Sequence, residues 1–233
     1  MSGDMNTSLG NVLLMCLMCH SYFREIGLDC AFLNDGDDCV VICERRDLPK
    51  LNTLPDWFSK LGMVMKVEPA VDELERVEFC QSHPVEINPG YWRMVRDPRV
   101  TLSKDLCVTR PVRDERTWNM MRKSISDCGM ALAGDVPVYF AFYSALGREA
   151  TVSKRSARKM RARGPSTGME FLARGMHPKY QWPSTCCRVS FAKAFDIWPD
   201  QQEAMERQYH PLVPKWRDPE CVPGVVNLFY LMD

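Results

Sequence analysis

No long hydrophobic run occurs in this sequence. The longest unbroken apolar stretch, Val12 to Cys19, is well short of the roughly 20 residues that span a bilayer, so nothing read here anchors the chain in a membrane. No charge of one sign prevails either: 30 Lys and Arg balance 30 Asp and Glu, and no overall field announces a nucleic-acid partner, although local clusters still could. The cysteines lack the even number and regular spacing of a disulfide framework. There are 11, with no secretory signal before them, which predicts free thiols in a reducing, intracellular compartment. Repeats and low-complexity tracts are also missing. The opening Met1-Ser-Gly-Asp-Met-Asn-Thr runs straight into a helix-like segment without a leader, and the expectation is of a chain that starts mid-domain.

What is present is an ordinary globular balance, 45% apolar over 233 residues, enough for one sizeable domain or two small ones. From Thr7 to Ile26 the residues Leu9, Val12, Leu13, Cys16, Leu17, His20 and Phe23 recur at steps of three and four, predicting an amphipathic helix with a wide buried face, stopped by Gly27. Two short apolar runs follow, Cys30 to Leu33 and Cys39 to Cys43. Between them Asn34-Asp35-Gly36-Asp37-Asp38 reads as the turn of a β-hairpin with both strands buried, its Asp-Gly supplying the positive φ. A second helix is expected over Asp47 to Leu61, ended by Gly62, then a strand from Met63 to Val67 and a short strand pair within Glu78 to Ile87. Asn88-Pro89-Gly90 punctuates the chain, and a domain boundary is placed there. Beyond it, helices are expected at Thr117 to Cys128, Val138 to Ala145, Ser153 to Arg163 and Asp200 to Tyr209, making a mostly helical second domain.

The chemistry concentrates at Gly36-Asp37-Asp38. Two carboxylates at the tip of a buried hairpin are costly unless a cation neutralises them, and a divalent metal with hard-oxygen preference, Mg²⁺ or Mn²⁺, is the natural partner. Taken alone, the same residues make a solvated turn. Their company argues otherwise. Ser2-Gly3, Thr7 and Asn11 form Ser-Gly-x3-Thr-x3-Asn at a loop entering a helix one element before the hairpin. Glycine lets backbone approach a nucleotide, while Thr7 and Asn11 share one helical face where a hydroxyl and an amide could read a ribose 2′-OH.

These two motifs at this spacing resemble the RNA-dependent RNA polymerases of positive-strand RNA viruses, and their wording looks most like the tombusvirus and carmovirus group. Leu61-Gly62-Met63-Val64-Met65-Lys66 resembles that family's motif D and Val77-Glu78-Phe79-Cys80-Gln81 its motif E. The resemblance implies an α+β fold: a partial palm of antiparallel sheet and helices over residues 1–89, then a mainly helical thumb over 90–233. It implies two-metal nucleotidyl transfer with Asp37 and Asp38 as metal ligands and catalytic residues. Ser2, Gly3, Thr7 and Asn11 would handle the incoming ribose and template, Lys66 would stand near the leaving pyrophosphate, and Phe79 and Cys80 would lie in the loop gripping the growing strand. Implied partners are template and nascent RNA, ribonucleoside triphosphates and the missing N-terminal fingers and palm region; the implied setting is the host cytoplasm, in a replication complex associated with membrane through regions absent here.

One departure from the family pattern stands out. Its first carboxylates, an Asp followed some five residues later by another, precede the Ser-Gly loop, and Met1 comes too late to include them. Adjacent strand residues point to opposite faces, so Asp37 and Asp38 cannot serve one metal cluster equally and a third carboxylate is needed. The expectation is a C-terminal portion inactive by itself. The alternatives are a non-catalytic RNA-binding or polymerase-docking protein that keeps the fold and, more weakly, a reverse transcriptase.

Other features read more plainly. The basic run Lys154, Arg155, Arg158, Lys159, Arg161 and Arg163 could contact RNA phosphates or be a solvated helix face. Cys16-Leu17-Met18-Cys19-His20 has the form of a haem-attachment motif but lies inside an apolar helix, where core thiols are expected. Cys186-Cys187 lacks the companions of a zinc site, and no nucleophile-elbow pattern accompanies the Ser, His and Asp residues.

Overall fold

The computed structural model describes residues 7–106, 114–152 and 168–214. The architecture is mixed α+β, with two small antiparallel sheets among helices. Two compact units divide between Gln81 and Ser82.

In the first unit, helix α1 (Thr7–Glu25) ends where Gly27 takes φ +61°. There Leu28 N–H donates to Phe23 O at 2.9 Å and Gly27 N–H to Arg24 O at 3.3 Å, the paired bonds of a Schellman cap. Strands β1 (Cys30–Asp35) and β2 (Asp38–Cys43) form the expected hairpin. A 3₁₀ segment, Arg45–Thr53, and a short helix α2 (Leu54–Ser59) replace the single helix expected over 47–61. Pro49 and Pro55, each lacking an N–H, break the α ladder. The core of this unit is Cys19, Tyr22, Phe23, Leu28, Leu54 and Phe58. Tyr22 Oη donates to Lys50 O at 2.8 Å, and Trp57 Nε1 donates to a Glu25 carboxylate oxygen at 2.8 Å.

Three further expectations fail in this unit. The Leu9-Leu13-Leu17 stripe of α1 is exposed, not buried: the covered side carries Cys19, Tyr22 and Phe23, because α1 is apolar nearly all round and packing against the hairpin and α2 selects the face. Neither hairpin strand is buried: β1 alternates half-buried and exposed, and β2 is half-buried at Cys39, Val40, Val41 and Cys43 and exposed at Asp38 and Ile42. Residues 63–70 form no strand, and Val64 is fully exposed; without a pairing partner an apolar run has nothing to satisfy its backbone in a ladder.

The second unit opens with a hairpin of β3 (Ser82–Asn88) and β4 (Tyr91–Arg96). Its turn is Pro89-Gly90, with Gly90 at φ +76°, so the expected division at residue 89 falls inside this hairpin. Here β3 pairs with β4, and not with the 78–81 segment as expected, because Cys80 and Gln81 both take left-handed φ and end the extended backbone. Helices α3 (Pro98–Lys104), α4 (Glu115–Ala133), α5 (Tyr139–Gly147), α6 (Gly168–Leu172), α7 (Thr185–Phe195) and α8 (Pro199–Tyr209) follow. Asp97, Asp114 and Ser184 cap α3, α4 and α7 by accepting backbone N–H bonds. Helix α7 lies on β3, where Ser184 Oγ donates to Ile87 O at 2.7 Å and Glu86 N–H donates to Ser190 Oγ at 2.8 Å. Helices α4 and α5 meet at Gly129, where a Cβ would come within 2.3 Å of the Tyr143 ring. The helices expected at 117–128, 138–145 and 200–209 are present. The expected helix at 153–163, with its basic run, lies outside the described residues.

Candidate active site

The hairpin register fixes the turn. Asp35 pairs with Asp38, leaving Gly36-Asp37 as a two-residue loop. Gly36 takes φ +92° while Asp37 stays at negative φ, so glycine occupies the first corner, as a II′ turn requires. The positive φ belongs to Gly36 at that corner and Asp35 remains in the strand, so the loop is Gly-Asp and not the expected Asp-Gly. Space is not the constraint, since a Cβ at Gly36 would stand an ordinary 3.7 Å from Asn11 Cβ.

Asn34 holds this turn in place. Its Oδ1 accepts from Gly36 N–H at 2.8 Å, closing an Asx turn over the loop. Its Nδ2 donates to Val12 O at 2.9 Å and to Cys16 Sγ at 3.2 Å, tethering the tip to the first turns of α1. Asn11 and the Gly-Asp-Asp turn are thereby brought together, while Thr7 lies one turn before Asn11 on the same helix. Asn34 was quoted in the motif but not singled out; an Asn two residues before a turn glycine is the signal that would have found it.

Asp37 and Asp38 are exposed at the tip, and no ion pair to either occurs among the described residues. Both offer hard oxygens of the kind Mg²⁺ or Mn²⁺ takes. Among the described residues, however, no group of three or more His, Cys, Asp or Glu side chains is placed to hold a metal, so the donor type fits and the ligand number is short. Asp35, directly opposite Asp38, accepts from the Cys80 thiol at 3.5 Å. Desolvation, then the Asp35 carboxylate and the charges of Asp38 and Asp37, push that thiol up to about 11. Cys80 and Gln81 both take left-handed φ, at 51° and 57°, a conformation that costs about 1–2 kcal/mol per residue for non-glycine. Segment 79–81, with half-buried Phe79, thus reaches the Gly-Asp-Asp hairpin through Cys80.

Lys66 stands apart from these contacts. It lies in the irregular 63–70 segment, exposed, with Nζ 2.9 Å from a Glu68 carboxylate oxygen, and that hydrogen bond and charge raise its pKa. Ser2 and Gly3 lie outside the described residues.

Residues 1–217 match the family model described as viral RNA dependent RNA polymerase. The chain belongs to that family. Among its relatives, the RNA-directed RNA polymerase of Pothos latent virus (isolate Pigeonpea/India) is 41% identical over 233 residues, all of this chain and 30% of the relative. That of Tomato bushy stunt virus (strain Cherry) is 49% identical over 146 residues, 62% of this chain and 18% of the relative. That of Carnation mottle virus is 38% identical over 213 residues, 91% of this chain and 27% of the relative. The chain spans less than a third of the length of these relatives.

Proposed function

We propose that the chain supplies the catalytic hairpin of an RNA-directed RNA polymerase, acting in template-directed addition of ribonucleotides to an RNA 3′ end during viral replication. One observation carries the reading: Gly36-Asp37-Asp38 occupies the tip of a tight hairpin held by Asn34 against the helix that bears Thr7 and Asn11. Family membership supports it. The two units take the roles of palm and thumb.

In this proposal Asp37 and Asp38 hold Mg²⁺ or Mn²⁺ together with a further carboxylate from a facing strand. A bound pair of such ions would favour deprotonation of the attacking hydroxyl and offset charge on the leaving pyrophosphate. Asn34 keeps the two carboxylates at the tip, and the II′ turn sets their divergent directions. Ser2, Gly3, Thr7 and Asn11 orient the ribose of the incoming triphosphate and the template. Phe79 and Cys80 steady the growing strand, and Lys66, once released from Glu68, balances charge at the pyrophosphate. With too few ligands placed together among the described residues, the 233-residue chain is proposed to need that further carboxylate for activity. The proposed setting is the host cytoplasm, in a membrane-associated replication complex. No helix among the described residues is long and apolar enough to cross a membrane.

The test is Mg²⁺-dependent incorporation of labelled ribonucleotides on an RNA template, by the chain itself and by a form extended upstream in its reading frame. In the active form, Asp37→Ala should reduce incorporation to background. Incorporation that survives this substitution refutes the site assignment. RNA binding without incorporation in either form favours the non-catalytic alternative.

A further inference from the structure

The far end of the catalytic hairpin carries two cysteines, and nothing in the polymerase reading uses them. Cys30 is the first residue of β1 and Cys43 the last of β2, and the register sets them directly opposite. We propose that Cys30 and Cys43 form a reversible dithiol–disulfide site that reacts with a thiol oxidant of the glutathione-disulfide class, closing the open end of this hairpin.

The hairpin's own geometry carries the argument. In a two-residue hairpin the pair flanking the loop, here Asp35 and Asp38, is hydrogen-bonded, and the pairs then alternate. Counting back along the register, Asn34–Cys39 is non-hydrogen-bonded, Leu33–Val40 hydrogen-bonded, Phe32–Val41 non-hydrogen-bonded and Ala31–Ile42 hydrogen-bonded. That leaves Cys30–Cys43 as a non-hydrogen-bonded pair. In such pairs the side chains approach most closely, with Cα atoms about 4.5 Å apart, inside the roughly 4.4–6.8 Å window a disulfide accepts and near its short end. Because both cysteines are only half-buried, a bond formed there stays within reach of thiol reductants, as a reversible site requires.

Both sulfurs lie on the same face of the hairpin as Phe32 and Val41, against the edge of the unit's core, and both cysteines are only half-buried, so an oxidant can reach them. Burial first, and then each thiol's acidic surroundings, raise both pKa values: Cys43 and Asp29 act on Cys30, and Asp47 and Glu44 on Cys43. Cys19, by contrast, is 2% exposed and closed to solvent.

The exchange balances. One cysteine, as thiolate, attacks the glutathione disulfide and releases one glutathione thiolate. The second attacks the resulting mixed disulfide, forms the Cys30–Cys43 bond and releases the other. Two electrons pass from the protein pair to the glutathione disulfide, and the two thiol protons go to the departing glutathione thiolates.

The full 233-residue chain is incubated with oxidised glutathione, blocked with an alkylating agent, and cleaved on the N-terminal side of aspartate. Cleavage at Asp35, Asp37 and Asp38 separates Cys30 from Cys43. The proposal expects a disulfide joining the Cys30 peptide to the peptide holding Cys39 and Cys43, kept in Cys39→Ser, lost in Cys43→Ser, and reversed by dithiothreitol. A link from Cys19 to Cys39, a stable glutathione adduct, or full alkylation of Cys30 and Cys43 each overturns it. If Cys43→Ser does not fold, Cys30→Ser and the fragmentation map of the unsubstituted chain decide the same question.

Discussion

Replacing Asn34 with alanine tests whether this one side chain holds the Gly-Asp-Asp turn. The substitution removes the acceptor of Gly36 N–H and the donor to Val12 O, bonds of 2.8 and 2.9 Å, together with a weaker contact to Cys16 Sγ. A hydrogen bond of ordinary geometry contributes about 1 kcal/mol net, so the tip should lose about 2 kcal/mol against local opening. At about 1.4 kcal/mol per factor of ten, the open population rises roughly 30-fold. Gly36 is buried in the folded turn, so its amide reports that opening. Native-state hydrogen exchange at the Gly36 amide should accelerate by about that factor in Asn34→Ala, while amides in the second half of α1 keep their rates. Asn34→Asp separates the two roles: it keeps an acceptor for Gly36 and sets an oxygen against Val12 O, so the tether is lost and the turn bond survives. Its Gly36 exchange should lie between wild type and alanine. An alanine variant whose Gly36 amide exchanges within about twofold of wild type would show that the turn stands without Asn34, and the reasoning would fail.

Three further outcomes follow from contacts elsewhere. Because the Asp35 carboxylate helps push the Cys80 thiol up to about 11, Asp35→Asn should lower that pKa and speed iodoacetamide labelling of Cys80 near pH 9; an unchanged or slower rate contradicts the coupling. Glu206 accepts from both terminal nitrogens of Arg188, at 3.0 and 2.8 Å, and from Val138 N–H at 2.9 Å. Glu206→Ala, which leaves the half-buried Arg188 with only Gln202 Oε1 at 3.4 Å and Val138 N–H without its acceptor, should cost about 2–3 kcal/mol in urea unfolding, and Glu206→Gln less; equal losses would argue against the charge. Gly129→Ala drives a methyl into the Tyr143 ring, itself 1% exposed and hydrogen-bonded to Asp105, for a cost of about 1–3 kcal/mol. Tyr143→Leu should relieve part of that loss, so additive melting shifts in the double variant would refute the contact.

The sequence made the Gly-Asp-Asp hairpin legible because its information is local: apolar runs, a turn glycine and flanking acids lie within 14 residues, Cys30 to Cys43. Helix α1 was legible as a helix but not in its orientation. Its apolar residues run nearly all round, so periodicity placed Phe23 inward correctly but could not say that Cys19 and Tyr22 join it while Leu9, Leu13 and Leu17 face out. Met63 to Val67 misled because strand propensity says nothing about whether a pairing partner is available. Helix α7 was readable in retrospect, with Ser184 as N-cap and Cys187, Phe191 and Phe195 at steps of four, all buried. The site was legible as a motif, and its support was not. Asn34 reaches back to Val12 and Cys80 reaches Asp35 from 45 residues away, contacts that only the folded chain reveals.

Val138 enters α5 with φ at +68°, an outlier for a β-branched residue, and its N–H donates to a carboxylate 68 residues further along. On a ribosome adding roughly 5–20 residues per second, that acceptor is synthesised about 3–14 s after the corner it secures. Through that interval the start of α5 has no Glu206 to hold it, and Arg188, made before its partner, waits as well. The second unit is therefore built so that its corner closes only when α8 arrives.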